Sequence, residues 1–275
     1  MKKTLLTLVC AGFALSLTAQ DDVATKKVQM GLAYQVGMNF NKPGTKNIER
    51  LGAGAQNSIG MNVNFSFTPN IGLATGLEFD FESFKYDVVA TDKIYYYYVD
   101  SKIIKKEDLS SNPDAKLYNV QERKQKAIYG TIPTMLLFRT NMIGDFRYYG
   151  KFGARTSFVL SNTINDIGFN LTGDSLNGTP VASDNSNMKA KGDMFFMRST
   201  IGLAAGAEWN FTGNTSLFAE LGFYYGLTPV HFGEAIGGDD KERDMTMFQR
   251  VNGVNDYLTF SAKQKQIVLK VGILF

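Results

Sequence analysis

The chain has 275 residues, 44% apolar and 20% charged, with 29 basic side chains against 26 acidic ones. That balance excludes the strongly basic surface of a nucleic-acid binder, and 21 Phe, 13 Tyr and 27 Gly exclude a disordered chain. The one cysteine, Cys10, excludes a disulfide framework and a thiolate metal cluster, and the one histidine, His231, leaves at most one place for a histidine-based triad.

Residues 1–20 read MKKTLLTLVCAGFALSLTAQ. Lys2 and Lys3 precede an apolar stretch from Thr4 to Leu17, which is too short for an ordinary membrane-spanning helix. The pattern predicts a secretory signal peptide over 1–20, cleaved after Gln20, and one domain over 21–275. Cys10 follows Val9 inside the apolar stretch, so it is not a lipoprotein cysteine. The rival, an amphipathic N-terminal helix of a cytosolic protein, fits these flanks less well.

Beyond residue 27 the apolar residues recur with period two, the strand period. Eight segments carry it: 28–40, 58–67, 71–82, 128–139, 147–160, 195–211, 215–227 and 266–275. The first places Val28, Met30, Leu32, Tyr34, Val36, Met38 and Phe40 on one face. The last places Ile267, Leu269, Val271, Ile273 and Phe275 on one face. No charged residue falls on the apolar face of any segment. The opposite face carries Glu78, Asp80, Glu82, Arg139, Arg147, Lys151, Arg155, Arg198, Glu208, Glu220 and Lys270. The fourth segment is the weakest, because Pro133 interrupts its ladder.

Size decides which face is outside. An eight-stranded barrel has an interior just wide enough for side chains, so it cannot enclose the bulky apolar set as a soluble lipocalin-like barrel would. The other face is rich in Gly, Ser, Ala and Asn, which suit a crowded interior. The apolar face therefore meets lipid. Connections after the second, fourth and sixth segments are short, among them Thr68-Pro69-Asn70 and Thr212-Gly213-Asn214, and the others are long. Short periplasmic turns and long extracellular loops are the habit of outer-membrane barrels. Phe67, Phe138, Tyr148, Trp209, Phe211 and Phe275 mark one interfacial girdle, and Phe40, Phe81, Phe158, Phe195 and Tyr225 the other.

Several stretches carry a family resemblance: IYGTIPTMLLFR (128–139), YYGKFGARTSFVLS (148–161), STIGLAAGAEWNF (199–211), LFAELGFYYGL (217–227) and IVLKVGILF (267–275). In order and spacing they resemble the Bacteroidota outer-membrane β-barrel family that includes PorT. The resemblance covers about residues 30–275. It departs at Thr131, where family members often carry an acid before Ile-Pro. The resemblance implies an outer-membrane barrel and, for PorT-like members, an accessory part in type IX protein secretion. Phe275 resembles the carboxy-terminal aromatic read by the barrel-insertion machinery.

The inward charges invite two readings, a gated pore or proton path, or a salt-bridged plug. Pairing in a crowded interior favours the plug. His231, with Asp239 and Asp240 in the same loop, invites comparison with outer-membrane hydrolases, but no serine is near in sequence, so a solvated loop histidine is expected. Gly237-Gly238-Asp239-Asp240 and Ser183-Asp184-Asn185 offer calcium oxygens without calcium-loop spacing. Tyr95 to Tyr98, flanked by Lys93, Lys102, Lys105 and Lys106, form either an exposed recognition cluster or a hairpin over Val88–Val99 that extends the wall. The hairpin is preferred. Asp174-Ser175-Leu176 resembles a short O-glycosylation signal.

The expectation is an all-β protein: an eight-stranded antiparallel transmembrane up-and-down β-barrel, monomeric, in the outer membrane of a Gram-negative cell. Its role is non-enzymatic, exercised through extracellular loops that meet a surface or secretion partner, or in envelope integrity. Its partners are outer-membrane lipid and the insertion machinery, with no nucleic acid. No residue is assigned to catalysis, a cofactor or a metal. An outer-membrane hydrolase is the remaining alternative.

Overall fold

A computed structural model describes residues 27–89, 93–190, 194–231 and 245–275. The expected signal peptide, Cys10, Asp239 and Asp240 lie outside these residues. Among these residues fourteen strands follow one another. They are β1 (Val28–Pro43), β2 (Ile48–Arg50), β3 (Gly54–Ser66), β4 (Ile71–Val88), β5 (Ile94–Val99), β6 (Lys102–Ile103) and β7 (Lys116–Arg139). Then come β8 (Phe146–Leu171), β9 (Pro180–Ala190), β10 (Met197–Thr212), β11 (Thr215–Gly226), β12 (Met247–Val251), β13 (Val254–Tyr257) and β14 (Ala262–Leu274).

Eight of these strands contain the eight alternating segments. Their antiparallel pairing runs β1–β3, β3–β4, β4–β7, β7–β8, β8–β10, β10–β11 and β11–β14. β14 pairs back with β1, from Gly31 opposite Leu274 to Pro43 opposite Ala262. The succession thus returns to its first strand and leaves no unpaired edge, which removes the template an open sheet offers to another chain.

Eight strands make up the ring, but the described residues carry more strands than the eight expected. Among the described residues the strands number fourteen because the long connections are themselves largely β-structure. β7 and β8 run 24 and 26 residues, twice the length of their alternating segments. Beyond residue 128 of β7 and residue 160 of β8 the pairing continues to Tyr118 opposite Asn170, past two register shifts. Those shifts hid the extension, since each resets the parity on which a period-two reading depends. β9 pairs the far part of β8, and β5 pairs the far part of β7. β12 joins β5 and turns back into β13. A crown of strands therefore stands on the far end of the ring from the short turns.

Orientation follows the sequence parity. Leu32, Tyr34, Val36 and Met38 of β1 are exposed, as are Ile59 and Met61 of β3 and Ile267, Leu269 and Val271 of β14. All eleven charges of the opposite parity are buried inside. A buried charged face and an exposed apolar face invert the ordinary partition of a water-soluble protein. At the short-turn end the rings of Phe146 and Trp209 stack at 6.3 Å, beside Phe211.

The interior admits its aromatic side chains because glycine stands opposite them. A Cβ on Gly206 would lie 2.6 Å from the Tyr149 ring, and one on Gly272 2.6 Å from Phe218. Pro133 weakens its strand only locally. β4 and β7 pair at Thr75–Thr134 and again at Glu78–Thr131 in one register, with the ladder missing only between. The strand survives because the second neighbour still pairs Pro133 with Arg155 of β8.

Candidate functional site

The interior is layered from the short turns upward. Arg139 and Arg147 share Glu208, with Arg139 Nε at 3.7 Å from Oε1 and Arg147 in direct hydrogen bonds to Oε2. Arg139 also donates to Gln29 Oε1 at 3.0 Å. Next, Lys151 pairs with Glu220, and Lys270 with Glu78, both at 2.5 Å. Arg155 lies between Glu78 at 2.6 Å and Asp80 at 3.3 Å. Asp80 also accepts a 2.6 Å hydrogen bond from the Thr131 hydroxyl. Above these, Arg198 holds Glu82 through two 2.8 Å bonds, and Gln264 and Gln266 donate to the same carboxylate at 2.9 and 3.0 Å.

Each of the eleven inward charges thus has an ion-pair partner, as the cost of burying a lone charge demands. Aromatic faces cover several cations. The Arg198 guanidinium lies 4.1 Å from the Tyr129 ring centroid, and that of Arg155 4.8 Å from Tyr224. The three acids of β4 meet cations of β8, β10 and β14, so the pairs link strands across the lumen.

Above the ion pairs the lining turns apolar. Phe84, Tyr86, Tyr129, Val230, Phe260, Ile94, Tyr96, Tyr118, Ile164 and Met247 belong to one buried cluster at the base of the crown. His231 stands in it, fully buried, and its Nε2 lies 3.1 Å from the Tyr86 hydroxyl. Its ring is 4.4 Å from that of Phe260, and its backbone bridges to Met194. The expectation of a solvated loop histidine is therefore corrected. The chain turns inward after β11, where the Val230 amide bonds to the Ala262 carbonyl at 2.8 Å.

The four tyrosines are also placed. Tyr95, Tyr96 and Tyr98 are buried and Tyr97 half-buried, so they do not form the exposed recognition cluster. β5 continues the pairing of β4 along β7, with Ile94 opposite Val120, and folds onto β6. The wall is extended as expected, but the hairpin spans 94–103 and not Val88–Val99. Tyr96 packs 5.2 Å from Tyr118 and accepts a 3.0 Å bond from Asn185 Nδ2. Arg123 binds Asp166 through two 2.9 Å bonds nearby. Burial, then the charge of Asp166, pushes the hydroxyls of Tyr96 and Tyr118 well above the usual tyrosine range.

Ser183-Asp184-Asn185 lies within β9 and pairs with β8 through Gly168, Ile167 and Asp166. Among the described residues no three His, Cys, Asp or Glu side chains gather closely enough for a metal ion. Asp174 ends a one-turn 3₁₀ helix (Thr172–Asp174), and its carboxylate accepts from the Leu117 amide at 3.3 Å.

A ring of antiparallel strands with an apolar outside and an ion-paired inside defines the class of outer-membrane β-barrels. The chain belongs to the outer membrane protein beta-barrel domain family, whose sequence profile matches residues 18–231. No curated protein matches it. Similar solved structures share little sequence. Neisserial surface protein A is 12% identical over 90% of this chain and 96% of its own, with a TM-score of 0.35. The outer membrane protease OmpT from Escherichia coli is 8% identical over 94% and 97%, at 0.38. Ail, the attachment invasion locus protein of Yersinia pestis, is 11% identical over 91% and 100%, at 0.32.

The sequence pattern identified the inward charges and missed the crown core. Tyr118, Arg123, Asp166 and Phe260 lie where no single parity runs long enough to be seen. The alternation of Phe84 and Tyr86 with Lys85 and Asp87 was the available signal, continuing β4 past residue 82.

Proposed function

We propose that the protein is a non-enzymatic, monomeric outer-membrane β-barrel of eight spanning strands that presents the crown at the cell surface. On this reading the short turns face the periplasm, residues 1–20 are the export signal, and Phe275 addresses the insertion machinery. One observation carries it: the lumen is filled by interlocked ion pairs and capped by the apolar cluster beneath the crown. Such an interior supports neither a water-filled channel nor a substrate cleft, which leaves the crown as the working surface. The burial of His231 against Tyr86 and Phe260 argues against a histidine-based hydrolase, because no substrate bond can reach it without opening the cluster.

The PorT-like secretion reading rests on the sequence resemblance alone. Two measurements divide these readings. Reconstituted in a planar bilayer, the protein should give no unit conductance, and a stable channel would overturn the filled lumen. Deleting the gene should leave the proteins of the culture medium unchanged. Loss of exported cargo from the medium, with its accumulation in the periplasm, would transfer the role to secretion.

A further inference from the structure

One cavity lies outside the ring, at its crown end. It is a cleft of about 800 Å³. Its floor is the outward face of β1, β14 and β11, where Phe40, Lys265 and Tyr225 stand in one row. Two residues further along, about 7 Å toward the crown, Lys42 faces Lys263 directly. Lys46 and Arg50 close the cleft from the connection between β1 and β3, the Arg50 guanidinium 5.2 Å from the Phe40 ring.

The charge is one-sided. Five cations line the cleft, against Glu49 alone. None of the five has a carboxylate within ion-pair distance among the described residues. Like charges directly opposite on neighbouring strands destabilise a sheet unless an anion lies between them. The cleft also sits where the period-two outward face changes from apolar to basic. Below it, Phe223 and Leu221 of β11 and Ile267 and Leu269 of β14 are exposed. At its upper edge Lys42 and Lys263 stand exposed. A second such pair, Lys85 opposite Lys124, stands on the outward face of β4 and β7 beyond Phe81.

We propose that this cleft holds the phosphate of an outer-leaflet lipid headgroup. The lysines and Arg50 supply compact and planar cations for phosphate oxygens. Phe40 and Tyr225 mark the interface, and the apolar stripe of β11 and β14 receives the acyl chains. That stripe favours a lipid over a soluble phosphate, which would have no use for it. The inference rests on the membrane-spanning reading of the strands.

The test uses the folded full chain in a non-ionic detergent, with native mass spectrometry as the readout. The probes are bis-phosphorylated lipid A, the same lipid stripped of phosphate, and inorganic pyrophosphate. The phosphorylated lipid should form a one-to-one adduct that weakens about tenfold or more in the K42Q/K263Q/K265Q variant. K42R/K263R/K265R should retain it, and K116Q/K189Q, which removes charge from the exposed crown, should leave it unchanged. Equal adducts with the stripped lipid, or no loss in the Gln variant, would overturn the proposal. Pyrophosphate binding as tightly as the lipid would overturn the lipid as occupant. Carbonate washing of membranes tests the spanning reading separately: protein released by carbonate sinks that reading, whereas retained protein that ignores lipid A sinks only the cleft.

Discussion

Glu82 shows what a single inward charge does. Both of its oxygens accept two bonds, one from Arg198 and one from a glutamine of β14. Truncating it strands the Arg198 guanidinium, whose next carboxylate is Asp80 at 3.9 Å. Glu82→Ala should therefore cost about 3–5 kcal/mol, the usual penalty for breaking a buried pair from one side. The double variant Glu82→Met/Arg198→Met should cost clearly less than the sum of the single changes, since it leaves no lone charge. Urea unfolding followed through Trp209, the one tryptophan of the chain, measures both. A double cost equal to the sum of the two single costs would mean that the pair is not a unit. Gly206 gives a steric counterpart: Gly206→Leu should drive a side chain into Tyr149 and lower the yield of refolded protein, read by gel mobility before and after heating.

At the scale of elements, the crown buries ionisable groups of its own. Tyr96 and Tyr118 lie against each other beneath β9 and beside the Arg123–Asp166 pair. Burial and the Asp166 charge raise both hydroxyls, so the folded crown binds their protons more tightly than the unfolded chain does. The sign follows from linkage. Below pH about 10, the unfolded tyrosine value, both states are protonated and stability is flat. Above it the unfolded crown ionises first, and stability falls as pH rises. Absorbance at the tyrosinate band should show Tyr96 and Tyr118 ionising only as the crown opens. Complete titration near pH 10 with the crown intact would contradict this packing. The elements themselves were unevenly legible. Period two was plain in the eight alternating segments, because one face is apolar and exposed and the other lines a crowded interior. It failed in the outer halves of β7 and β8, where bulges shift the parity and both faces of the strands acquire neighbours.

At the scale of the whole molecule, the exposed apolar exterior and the ion-paired interior make sense only with lipid outside. On intact cells, added protease should cleave in the crown and leave the strands between the crown and the short turns protected. Cleavage in the short connections 140–145 or 213–214 from outside would reverse the orientation. The apolar cluster lies between the ion pairs of the lumen and the crown. The basic cleft completes the picture on the outside, since it lies at the height where the exterior stops being apolar.

The amino-acid sequence by itself determined the strands of the ring, the face each turns outward, and the identity of all eleven inward charges. These are local properties: a side chain's parity along a strand decides its face, and the solvent on that face decides its polarity. The tertiary structure decided which charge pairs with which, the burial of His231 and of the Tyr95–Tyr98 run, and the meeting of Lys42, Arg50 and Lys263 at one cleft. Those depend on register between strands distant in sequence and on bulges that reset it. A one-residue slip would exchange every partner while leaving the composition and the alternation of each strand unchanged.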